Sequence, residues 1–148
     1  MKNSYVNLAV QTLISAVIMY LIMFVMIDGL DSFYNNLNMF YMTVMMVTPM
    51  IVLMILAMRH MFQSRAANGA IIAASVVAFL GSFALIRTQT TIGDQAFLKS
   101  MIPHHSGAIL MCQEAKLSDP RVISLCREII PAQRNEINEM KAILRAYD

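Results

Sequence analysis

Met101-Ile102-Pro103-His104-His105, followed by Met111-Cys112, is the stretch of this chain best equipped for chemistry. Two of the three histidines stand side by side there, and the third, His60, is far away in the sequence. On a helix Met101 and His105 lie one turn apart, and His104 and Met111 lie two turns apart, as do His105 and Cys112. Imidazole, thioether and thiol within a few turns form a soft donor set. Such donors favour copper(I) or silver(I) over calcium or magnesium. The spacing matches no recognised zinc pattern. A plain structural reading stands beside the chemical one. Neighbouring helical side chains point about 100° apart, so both histidines cannot easily face one core. One can satisfy buried polar groups while the other is solvated.

Two helices must position these residues. Asp94 offers an N-cap for a first helix running to about Leu117, with Pro103 inside it. Ser118-Asp119-Pro120 breaks and restarts the chain: Asp119 can cap a second helix and Pro120 suits its first position. That helix continues to about Ala146 through Pro131. So short a turn predicts an antiparallel hairpin. Centred on Ser118 and Asp119, it sets Cys112 opposite Cys126, His105 opposite Gln133 and Leu98 opposite Met140. The apolar faces expected to meet are Phe97, Met101, Ala108 and Ala115 on the first helix and Val122, Ile129, Ile137 and Leu144 on the second. Two such helices bury too little surface to be stable alone. A second copy would complete a four-helix bundle, so a homodimer or larger assembly is expected.

The rest of the chain reads as membrane. Of 148 residues, 58% are hydrophobic and 14% charged, a balance unusual for a soluble domain. Uncharged apolar stretches at about 6–27, 39–58 and 66–86 each suit one bilayer crossing. The expected organisation is all-α: a membrane domain over 1–87 and a helical hairpin over 88–148. The loop after the second stretch carries Arg59 and Arg65, Lys2 precedes the first, and the loop between the first two has Asp28 and Asp31 without Lys or Arg. The positive-inside rule places the N-terminus in the cytoplasm and the hairpin outside it, with Arg87 and Lys99 opposing. In a bacterium the membrane would be the inner or plasma membrane, and the hairpin periplasmic or extracellular. Ala66, Ala70, Ala74, Ala78 and Ser82 recur every fourth residue, a spacing that serves packing inside the chain or a dimer seam. Pro49 is placed to kink the second stretch. Met42, Met46, Met50, Met54 and Met58 could line a metal path, but methionine is also ordinary apolar filler.

Asp94-Gln95-Ala96-Phe97, the Met101–His105 core, Ala108-Ile109 and Met111 resemble the signature of the domain-of-unknown-function family numbered 305. Ile129-Ile130, Gln133, Glu136-Ile137 and Met140 are similar to its second half. That family resembles ferritin-like helical bundles, and its better-understood members are exported proteins linked to copper binding and resistance. The resemblance implies metal roles for Met101, His104, His105, Met111 and Met140, with Asp94, Gln133 and Glu136 in support. Cys112 departs from the pattern, standing where a small residue is usual. With Cys126 it could form a disulfide outside the cytoplasm, bind copper(I) as thiolate, or remain a buried thiol.

Several functions find no support in the residues. The net charge is +2, and residues 88–148 carry seven basic and seven acidic side chains, leaving no basic stripe for nucleic acid. Di-iron oxidation needs paired Glu-x-x-His motifs, but Glu136-Ile137-Asn138-Glu139 lacks the histidine. No nucleophile elbow, phosphate loop or His-Glu-x-x-His motif is present. The expectation is a non-enzymatic, membrane-anchored binder of copper ion that buffers it or hands it to a metal-handling partner. A structural or interaction protein and a metal-transporter subunit are the alternatives.

Overall fold

A computed structural model describes residues 2–147; Met1 and Asp148, and the side chain of Lys2 invoked for orientation, lie outside the described residues. The described residues are helical, without strands. The helices are α1 (Lys2–Ile22), α2 (Leu37–Ala57), α3 (Arg65–Thr88), α4 (Asp94–Glu114) and α5 (Pro120–Arg145), with a short 3-10 turn at Leu30–Ser32. The chain divides into two compact units: Met1–Ile22 with Asn38–Thr91, and Met23–Leu37 with Ile92–Asp148.

The first unit holds three helices long and apolar enough to cross a membrane, over Ser4–Ile22, Leu37–Ala57 and Arg65–Thr88. At one end Leu8, Ile55 and Phe62 form a buried cluster joined by Tyr5, Met54, Met58 and Ile71. Tyr5 organises the loop there. Its hydroxyl donates to Asn68 Oδ1 (2.9 Å) and accepts from the Ser64 amide (3.3 Å). Ser64 in turn caps α3 by accepting from Ala67 N. At the other end Asn38 and Gln89 exchange two side-chain hydrogen bonds (3.2 and 3.0 Å).

Two sequence patterns resolve differently from their simplest readings. The small-residue row on α3 runs diagonally: Ala66, Ala70 and Ala74 are exposed, Ala78 is half-buried and Ser82 is buried. Four-residue steps drift about 40° per step on a 3.6-residue helix, so the row cannot stay on one face. The methionines of α2 drift in the same way. Met42 and Met46 are exposed, whereas Met54 and Met58 pack against the Leu8, Ile55 and Phe62 cluster.

The second unit corrects the sequence reading. The first helix ends at Ile22 rather than near Ile27. The chain leaves the helix because Phe24 buries itself against Phe33, with ring centroids 4.1 Å apart. The connector 23–37 then packs onto α4. Ser106, fully buried, accepts a hydrogen bond from the Asp28 amide at 2.7 Å. Gly107 leaves room for the backbone of Met26, whose carbonyl oxygen would lie 3.4 Å from an added Cβ. Tyr34 packs on the cluster of Leu98, Ile102, Ile109, Ile137 and Leu144. Lys141 closes the contact with an ion pair to Asp31. With the Gln113 amide oriented to satisfy both neighbours, it donates to Asp28 Oδ1 (2.7 Å) and accepts from Arg134 Nη2 (3.0 Å).

The connector explains a second difference. Leu98, expected opposite Met140, is buried in the cluster that Met140 packs against, but Ile102 and Ile109 are buried beside it rather than the expected Phe97, Met101, Ala108 and Ala115. The buried face shifts from Met101 and Ala108 to their neighbours Ile102 and Ile109, because α4 packs against the connector as well as α5. Phe97 and Ala115 are exposed, as is Val122 on α5, while Ile137 and Leu144 are buried as expected. Asp94 is the first helical residue and Gly93 takes the cap position. Asp94 accepts instead from the Tyr147 hydroxyl (3.3 Å), and its charge raises the Tyr147 phenol above the usual range. Asp119 does cap α5, accepting from Arg121 N at 2.8 Å, with Pro120 in the first turn.

Replacing Gly107 with Leu should push the connector off α4 and destabilise the second unit by about 1–3 kcal/mol. Faster amide exchange over residues 24–33 than over α2 would report it. The Asp31 carboxyl is held below the usual carboxylate range, chiefly by the hydrogen bond from Lys141. A depressed folded value means stabilisation that is complete above about pH 5 and fades as pH falls below about 4. The carboxylate is open to solvent, so the effect is small. Thermal melts at stepped pH should show a shallower acid loss for Asp31→Asn than for the native chain.

Candidate metal centre

α4 carries His104 and His105 just beyond Pro103, on the side that neither the connector nor the core covers fully. Pro103 is buried and α4 continues through it. The two imidazole rings lie 6.0 Å apart at 58°. His104 is exposed and His105 half-buried. Nδ1 of His105 sits 2.9 Å from Glu136 Oε2 on α5. That approach is off the line of a directed hydrogen bond, and Nδ1 is otherwise buried without a partner. The contact is therefore one of proximity, needing a ring rotation to align. Glu136 also accepts from Gln133 Nε2 at 3.3 Å. His105, Gln133 and Glu136 thus meet across the two helices, close to the expected His105–Gln133 register.

The other expected site residues fall at different distances from this group. Met101 is half-buried one turn before His105. Met140, on α5, packs against the buried cluster that contains Leu98 and Ile102. Met111 is exposed, two turns beyond His104. Asp94 is not part of the group, since it begins α4, about 16 Å along the helix from His105, and pairs with Tyr147. Cys112 and Cys126 are joined in a disulfide, with Cα atoms 5.3 Å apart. In that state neither sulfur is a thiolate, so the donors left are imidazole and thioether. Among the described residues no three His, Cys, Asp or Glu side chains cluster as a metal site. A carboxylate behind one nitrogen of a histidine is the usual second layer of a metal site, leaving the other nitrogen to bind. His105 with Glu136 has that arrangement, and its buried Nδ1 gives the carboxylate a reason to be there.

Sequence reasoning missed Ser106, Gly107, Gln113 and Arg134, which hold the connector. The small pair Ser106-Gly107 inside an apolar run was a signal of close approach, but its partner lies 78 residues away at Asp28.

The molecule is thus a helical protein in which three helices apolar enough to cross a membrane accompany a smaller two-helix unit. Residues 82–144 match the family described as "Domain of unknown function (DUF305)". The chain is also 41% identical over 112 residues to "Uncharacterized protein L153" of Acanthamoeba polyphaga mimivirus, covering 74% of this chain and 71% of that protein. No solved structure matches. The chain belongs to the DUF305 family.

The Cys112–Cys126 bond closes a loop with a sequence separation of 14. In the chain-entropy model a loop of this size contributes about 3 kcal/mol. Reduction, or the double substitution to Ala, should lower the melting temperature of the second unit accordingly. A melt unchanged by reductant would mean the bond does not hold α4 to α5.

Proposed function

We propose that this chain is a membrane-anchored, non-enzymatic protein whose α4–α5 unit binds copper(I) outside the cytoplasm. The observation that carries the reading is His105 backed by Glu136, with His104 and Met101 within one turn. Imidazole and thioether donors suit a soft, monovalent ion, and a carboxylate beside Nδ1 of His105 orients the ring once the two align. Met111, about 10 Å beyond His104 along α4, is too far to share an ion with Met101 within one chain, and Met140 packs against the buried cluster. When bound, the ion would supply no reaction; the side chains hold it for buffering or for transfer to a metal-handling partner. The arginines at 59 and 65 against the acidic connector favour a cytoplasmic N-terminus. The connector and α4–α5 fold as one unit, which agrees with their lying on the same side of two intervening spans.

A second reading is favoured by the exposed strip Phe97 and Met111 on α4 with Val122 and Leu125 on α5. In that reading the antiparallel hairpin is half of a ferritin-like four-helix bundle, and a second copy covers the strip without metal.

Copper(I) competition titration of the reduced-ion complex separates the two. The native chain should take up copper(I), and His104→Ala/His105→Ala should lose most of it. Glu136→Gln should weaken binding by roughly 10-fold, as expected for a supporting carboxylate. Undiminished uptake by the double variant would leave only the assembly reading.

A further inference from the structure

α1 turns Tyr5, Leu8 and Thr12 toward the first unit. Tyr5 and Leu8 join the cluster with Ile55 and Phe62, and Thr12 Oγ1 is buried. Gln11, one position earlier, points away and is exposed, as is Asn7 one turn before it. Gln11 lies seven residues beyond Ser4, where the apolar stretch of α1 starts. That is about 10 Å along the helix axis, too deep for its side chain to reach the interface. Among the described residues no hydrogen bond satisfies its amide. An unpaired carboxamide in hydrocarbon is strongly unfavourable. Ser4–Ile22 holds no charged residue, so a copy of this span would meet Gln11 with a polar, neutral group.

Asn7, Gln11, Ile14, Ile18 and Leu21 follow at alternating steps of four and three, and all are exposed. Such steps keep side chains on one straight seam between helices. We propose that this face of α1 is the contact between two copies of the chain in the membrane, with Gln11 of each hydrogen-bonded to Gln11 of the other. A carboxamide is donor and acceptor at once, so two identical ones related by a twofold axis satisfy each other. Asn38 and Gln89 display the same reciprocal amide pairing within this chain. The proposal rests on the reading that α1 crosses a membrane.

The test uses the full chain in phosphatidylcholine–phosphatidylglycerol liposomes with single added cysteines and a short bismaleimide. Ile14→Cys and Ile18→Cys should cross-link as dimers, whereas Ala9→Cys and Leu13→Cys, on another face, should not. Gln11→Leu should weaken association, read by energy transfer between labelled copies, by about three- to tenfold, and Gln11→Asn should restore most of it. Equal cross-linking on both faces, or association indifferent to Gln11→Leu, overturns the seam. Alkaline extraction separates the two claims. A chain that resists it yet fails those tests sinks the seam alone, and a chain that washes off sinks the membrane reading as well.

Discussion

Everything near the histidines depends on how one face of α4 is covered. Ile102, Ser106 and Ile109 are among the most deeply buried residues in the chain, and they owe this to the connector and α5 together. Two helices alone offer one shared stripe, which is too little apolar area for a stable unit. The connector adds another layer, brought by residues that a sequence reading assigns to a loop. It is fastened at Ser106, where a hydroxyl meets the Asp28 amide, and at Gly107, where the absence of a side chain admits Met26. A side chain well beyond a methyl group at position 107 would separate the layers, since an added Cβ there already touches Met26.

That covering decides which side chains remain outside. Once Leu98, Ile102 and Ile109 are committed inward, Phe97, Met101, His104 and Met111 are left on the open side of α4. His105 sits at the boundary, half-buried, with its Nδ1 against Glu136. The disulfide at Cys112–Cys126 lies seven residues further along, beside the turn, where it ties the helices without competing for the site.

The small size of the second unit and the sparse packing of α1 point in one direction. Both leave residues exposed in a single chain: Phe97, Met111, Val122 and Leu125 on α4 and α5, and Gln11 among apolar neighbours on α1. Lipid can cover apolar residues of α1 at no cost, but it cannot satisfy a carboxamide. Gln11 is therefore more informative than the many exposed Val, Leu and Ile around it.

Much of the architecture was legible before any coordinates. Three uncharged stretches of bilayer length, the Asp119-Pro120 restart and the Met-Ile-Pro-His-His core are local signals, written in neighbouring residues. Local signals suffice for helices, because helical hydrogen bonds link residues four apart. The register that puts Cys112 beside Cys126 was legible for the same reason, since a five-residue turn leaves little freedom. Tertiary structure alone decided that residues 23–37 belong with α4 and α5, that α4 buries Ile102 and Ile109 rather than Met101 and Ala108, and that Glu136 meets His105. Those outcomes follow from contacts between segments up to 110 residues apart, as in Lys141 with Asp31. No periodicity encodes such a contact: it depends on which surfaces remain once each helix has formed, and on which of them fit.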